Sequence, residues 1–235
     1  MVDNLKAKEE VEMKNTNSFS IRSESFDIQS PIVSIETAST DVTINESPDG
    51  RIHLEVLGDS ESAKEMASSI LVTVANQSIK VKLQKPQGGI LGFFKGHMSN
   101  LEILMSLPAS SELSVRTISG DVDVDAAVIS NSINTVSGDI EILKNPATFC
   151  NLKTVSGDIS ARTFSGCQYS LKSVSGDISV TVAPNLEISV DGTSMSGDLL
   201  SEISLDSTHD SSAEKLGAVD IEAKTISGDF TLARN

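Results

Sequence analysis

Tryptophan is missing from this 235-residue chain, tyrosine occurs once, and aromatic residues make up only 3%. A polysaccharide-acting enzyme on a β-helix needs aromatic platforms, so that activity is a poor fit. Basic residues are scarce too. Eighteen Lys and Arg face thirty-three Asp and Glu, a formal charge of −15. That balance argues against a phosphate backbone or an anionic lipid surface as main partner. Two cysteines, Cys150 and Cys167, are too few for a disulfide framework, and we expect both as buried free thiols. No apolar run approaches the roughly 20 residues of a membrane-spanning helix. Met1–Asn15 is charged and lacks the apolar stretch of a signal peptide. As it stands the sequence reads as cytoplasmic, or as cell-surface if a leader has been removed.

Catalytic motifs are equally scarce. There is no Gly-x-Ser-x-Gly elbow, and His53, His97 and His209 lie far apart with no motif around them. We expect no enzyme activity, no catalytic residue and no cofactor.

What the chain does have is a repeat. Ser-Gly-Asp followed by an apolar residue occurs six times, starting at Ser119, Ser137, Ser156, Ser175, Ser196 and Ser227, with spacings of 18, 19, 19, 21 and 31. A period near 20 residues is the mark of stacked units that bury their cores against one another. Counted from the serine, offsets −4, −1, +3 and +5 are apolar in nearly every copy, as in Ile133, Val136, Ile140 and Ile142. The +3/+5 alternation is that of a strand with one buried face. The change of phase between −1 and +3 puts a corner at Ser-Gly, where glycine is expected to supply a positive φ. A degenerate seventh copy begins earlier, with Ile35, Ala38, Ser39-Thr40-Asp41, Val42 and Ile44.

Between that copy and Ser119 lie strand-like runs at 52–57, 70–75, 79–83 and 101–107. Asn76-Gln77 reads as a hairpin turn, and Ser60–Ser69 as one short helix. Residues 1–16 are expected as a charged tail, 17–112 as a β portion with one helix, and 113–235 as the repeat region, continuous with it. Two segments break the pattern: the glycine-rich Gly88–Gly96 with Phe93 and Phe94, and the polar Ser207–Gly217.

The stretch from Leu107-Pro108 through Leu113-Ser114-Val115-Arg116-Thr117-Ile118-Ser119-Gly120-Asp121-Val122, with its tandem successors, resembles the bacterial putative-adhesin family related to auto-transporter adhesin head domains of the GIN type. The resemblance covers about Phe26 to Leu232. It implies an all-β, right-handed parallel β-helix or closely related solenoid, and a non-enzymatic role. It brings no catalytic residues with it.

Asp121, Asp139, Asp158, Asp177, Asp198 and Asp229 should form a column along one edge. Stacked carboxylates could hold Ca²⁺, but the calcium β-roll signature is absent, and we expect each to accept backbone N–H groups at its own corner instead. Six identical serines form a ladder, whereas a catalytic serine is unique. Phe93 and Phe94 are candidates for a partner-contact loop, against the plainer reading that they cap the solenoid. The expectation is a binding or scaffolding module for a protein or cell-envelope component, with no nucleic acid and no membrane contact. The alternative is a self-associating, polymer-forming β-helix similar to bactofilins.

Overall fold

The computed structural model describes residues 18–83, 100–144, 148–203 and 217–234. Nineteen strands and one short helix make two mixed sheets facing each other across an aliphatic core.

The N-terminal part contains β1 (Phe19–Phe26), β2 (Ile32–Glu36), β3 (Asp41–Glu46), β4 (Ile52–Gly58), α1 (Glu61–Ser68), β5 (Ile70–Ala75), β6 (Ser78–Leu83) and β7 (Leu101–Leu107). Ser60 caps α1, its Oγ accepting from the Ala63 N–H at 3.2 Å. Asn76 turns the β5–β6 hairpin with φ 54, a conformation asparagine tolerates better than most residues.

From there each Ser-Gly-Asp joins one strand of each sheet. β8 (Glu112–Arg116) and β9 (Val122–Asp125) flank Ser119; β10 (Ser130–Asn134) and β11 (Ile140–Ile142) flank Ser137. β12 (Phe149–Lys153) and β13 (Ile159–Thr163) flank Ser156; β14 (Cys167–Lys172) and β15 (Ile178–Val182) flank Ser175. β16 (Glu187–Ser194) and β17 (Leu199–Ser201) flank Ser196; β18 (Ala218–Thr225) and β19 (Phe230–Arg234) flank Ser227.

The layers pair in parallel and in register. Ile35, Val115, Ile133, Leu152, Leu171 and Ala223 form one buried column. Val42, Val122, Ile140, Ile159, Ile178 and Phe230 form the facing one. These are the −4 and +3 offsets, with Thr40-Asp41 keeping the degenerate copy in phase. Each column buries aliphatic side chains on their own kind at the inter-strand spacing of about 4.8 Å.

Spatial order departs from chain order at both ends. β18/β19 lies between β14/β15 and β16/β17, so the sixth copy sits inside and the fifth is outermost. Likewise β6/β7 packs outside β2/β3, with β8/β9 on its other side. Antiparallel β1–β4, β4–β7 and β5–β6 pairs finish the N-terminal end. α1 packs against β1, β4, β5 and β7, with Ala63 and Ala67 buried. No helix among the described residues is long and apolar enough to cross a membrane.

Candidate functional site: the Ser-Gly-Asp corner

The glycine of each corner is required by the layer beneath it. Among the corner glycines none has positive φ; Gly50 and Gly217, elsewhere, are the two described glycines that do. The expectation of a positive φ at Ser-Gly is therefore corrected. A Cβ on Gly138 would lie 2.1 Å from Gly120 O, and one on Gly176 2.0 Å from Gly157 O. Gly120 meets Thr40 O in the same way, at 2.1 Å. Close backbone approach, repeated layer on layer, excludes any side chain there.

The aspartates form the expected column, but their bonds run between layers. Asp121 N–H donates to Asp41 Oδ1 at 3.0 Å, Asp139 N–H to Asp121 Oδ1 at 2.9 Å, and Asp158 N–H to Asp139 Oδ1 at 2.8 Å. The chain of bonds continues through Asp177 to Asp229 and ends on Asp198, each step 2.8 Å. Each carboxylate thus satisfies the backbone of the next corner, not its own. Among the described residues no three His, Cys, Asp or Glu side chains converge as a metal-binding set. A shallow acidic groove, lined by Asp121, Asp123, Asp139, Glu141 and Asp158, runs beside the column.

A hydroxyl column at offset −2 completes the corner, and the sequence reading missed it. Thr117 and Thr135 Oγ1 each accept the glycine N–H of their own corner at 3.1 Å. Thr154, Ser173, Thr225 and Ser194 donate instead to the glycine carbonyl of a neighbouring layer, at 3.0–3.3 Å. The signal was in the sequence: Thr or Ser recurs two residues before every Ser-Gly-Asp. The repeated serines are ladder elements. Ser119 N–H donates to Ala38 O at 2.9 Å and Ser137 N–H to Ile118 O at 2.8 Å.

Offset −1, apolar in every copy, points outward. Ile118, Val136, Val155, Val174 and Ile226 are 41–52% exposed and make an aliphatic ridge along the corner. Offset −3 carries Arg116, Lys153, Lys172 and Lys224 beside it, so the ridge has a basic flank and, past the serines, an acidic one.

Away from the corner the fold assembles a set that no motif announced. Ser25 Oγ lies 2.9 Å from His53 Nδ1, and His53 Nε2 lies 2.8 Å from Asp49 Oδ1. The His53 side chain, the Arg51 N–H and the Ser47 hydroxyl hold the Asp49 carboxyl down at about 2. The three side chains lie at the surface, outside the acidic groove beside the corner. The geometry is that of a polar tie between β1 and the β3–β4 turn.

Cys150 and Cys167 are buried free thiols. Burial, with Cys167 nearby, pushes the Cys150 thiol well up. Asn131, fully buried between Leu113 and Cys150, has no nitrogen or oxygen partner for its amide. Phe93, Phe94 and the segment 207–216 lie outside the described residues.

The sequence profile described as Toastrack DUF4097 matches residues 32–132 and 109–233. The structure of a putative cell adhesion protein from Clostridium sporogenes is similar, with a TM-score of 0.55 and 10% identity, covering 91% of this chain and 99% of that one. A putative adhesin from Bacteroides fragilis gives a TM-score of 0.47 and 13% identity, covering 94% and 98%. No curated protein matches the chain.

Proposed function

The chain belongs to the Toastrack DUF4097 family, and from that premise we propose that it is a non-enzymatic binding or scaffolding module of the adhesin type. Its parallel layers wind as a right-handed β-helix, and the repeated corner is the surface it presents to a protein or cell-envelope component. The observation that carries this reading is the outward turn of offset −1. A solenoid stabilises itself by burying its repeated apolar positions, yet one apolar position per layer is left in solvent from Ile118 to Ile226. The ridge follows a spacing of about 4.8 Å per layer. An elongated partner is matched by such a ridge better than a small ligand, which needs an enclosed pocket.

The test is a pull-down from envelope and cell-wall fractions with the full chain and a Val136→Asp/Val155→Asp variant. Both positions are 45% exposed, and an unchanged circular dichroism spectrum checks that the variant keeps the fold. Capture by the wild type and loss in the variant support the reading; equal capture by both moves the binding surface elsewhere. The bactofilin-like alternative needs both ends of the stack to be open, and α1 lying against β1, β4, β5 and β7 at one end disfavours it.

A further inference from the structure

The outermost layer at the C-terminal end of the stack is held from one side. β16 is the last strand of its sheet and β17 the last of the other. Glu187 N–H donates inward to Gly217 O at 3.0 Å. Successive strand residues direct their backbone groups to alternate sides, so those of Ile188, Val190, Gly192 and Ser194 face away from β18, where no further strand lies among the described residues.

The core is open at the same place. Val219 and Ile221 are buried, but their equivalents one layer out, Ile188 and Val190, are half-buried. Leu199 is 53% exposed where Phe230 and Ile178 are buried. The aspartate column also stops short. Every other member receives the N–H of a following corner, and Asp198 receives none among the described residues. Among the described residues this end thus has unpaired backbone, an open core and an unused acceptor, three features that a further β-strand would complete.

We propose that this end pairs with a second copy of the chain, β16 antiparallel to the partner's β16 across a two-fold axis at Val190. Two-fold pairing joins like to like and closes at the dimer. A head-to-tail stack would set the open core against the end that α1 covers.

The charges of β16 exclude the two adjacent registers. Its outward residues are Glu187, Ser189, Asp191 and Thr193. With the axis at Val190, Asp191 faces Ser189 and Glu187 faces Thr193. On the inner side Val190 meets Val190 and Ile188 meets Gly192, a large residue against a small one. Moving the axis to Asp191 sets Asp191 against itself, and moving it to Ser189 sets Asp191 against Glu187. Like charges directly opposite destabilise a strand pair.

This inference is independent of the corner reading, since the ridge variant Val136→Asp/Val155→Asp lies away from β16. Light scattering on the full chain at about 100 µM, roughly a hundred times a micromolar dissociation constant, should give twice the 24.8 kDa chain mass. Val190→Cys should form a disulfide-linked dimer on mild oxidation, while the wild type, with Cys150 and Cys167 buried, should not. Ser189→Glu adds a like charge opposite Asp191 at two symmetric places and should weaken the dimer about tenfold with an unchanged circular dichroism spectrum. Ser189→Lys should strengthen it. Three results would overturn the proposal: a monomeric wild type at that concentration, mass growing past the dimer, or no Val190→Cys cross-link. Equal dimerisation of the two Ser189 variants would overturn the register.

Discussion

The α-carbon of Gly157 sits so close to the carbonyl of Gly138 that a Cβ there would come within 2.3 Å of the oxygen and 3.0 Å of Asp139 Oδ1. Gly157 is therefore fixed by its neighbour one layer down. A methyl group can be accommodated only by parting the two layers, which strains the aspartate bond between Asp158 N and Asp139 Oδ1 as well.

Gly157→Ala should accordingly cost about 1–3 kcal/mol, the usual range for overpacking. Urea melts of the wild type and the variant read it directly. A neutral result would mean that the layers part more easily than the contact distances require.

Core and ridge should respond differently to truncation. Ile159→Ala and Ile178→Ala each remove a fully packed side chain and should cost roughly 2–5 kcal/mol. Val155→Ala, on the exposed ridge, should stay within about 0.5 kcal/mol. Similar losses at all three positions would contradict the outward turn of offset −1.

Asn131 offers a stabilising change. Its amide lies in the core without a nitrogen or oxygen partner, beside Leu113 in one layer and the Cys150 thiol in the next. The weakly hydrogen-bonding Cys150 thiol is the one partner that this amide meets, so Asn131→Leu should raise the urea midpoint, by about 1 kcal/mol. A lower midpoint would show that the bond to the Cys150 thiol outweighs the cost of burying the amide.

Acid should act through Glu36. Its hydrogen bonds and ion pairs with Lys80 and Lys82, at 2.6 and 3.0 Å, pull its carboxyl from 4.5 down to about 2. A carboxyl depressed in the folded state contributes stability above its unfolded pKa and loses it as pH falls through the folded one. The stability gap between wild type and Glu36→Gln should thus be full above pH 4.5 and close towards pH 2. A gap that stays constant across that window would remove Glu36 from acid sensitivity.

Calcium should be dispensable, because one oxygen of each aspartate from Asp41 to Asp229 already accepts a backbone N–H. Melts in millimolar Ca²⁺ and in chelator should coincide. A site filled at 100 times its dissociation constant would add about 2.7 kcal/mol, which a melt would reveal.

The sequence by itself determined the repeat unit. Period, strand faces and corner are local properties: alternation at +3/+5 follows from the two-residue strand repeat, and the same offsets placed the degenerate copy at Ile35–Ile44. The Ser60–Ser69 helix and the Asn76 turn were legible for the same reason, since caps and turns are written in a few adjacent residues. Only the tertiary structure decided what depends on the neighbouring layer. It gave glycine a steric reason in place of a torsional one, and turned the aspartates towards the next backbone. It also put offset −1 outside, because hydrophobicity marks a position without saying which side of a corner it takes. The order of the last layers was beyond sequence reasoning as well. The corner segments Ser175–Asp177, Ser196–Asp198 and Ser227–Asp229 carry nearly the same bonds, so nothing local says that Asp229 follows Asp177 and Asp198 comes last. Ser25, Asp49 and His53 meet only because β1 folds back antiparallel on β4, a long-range pairing that no spacing within the chain encodes.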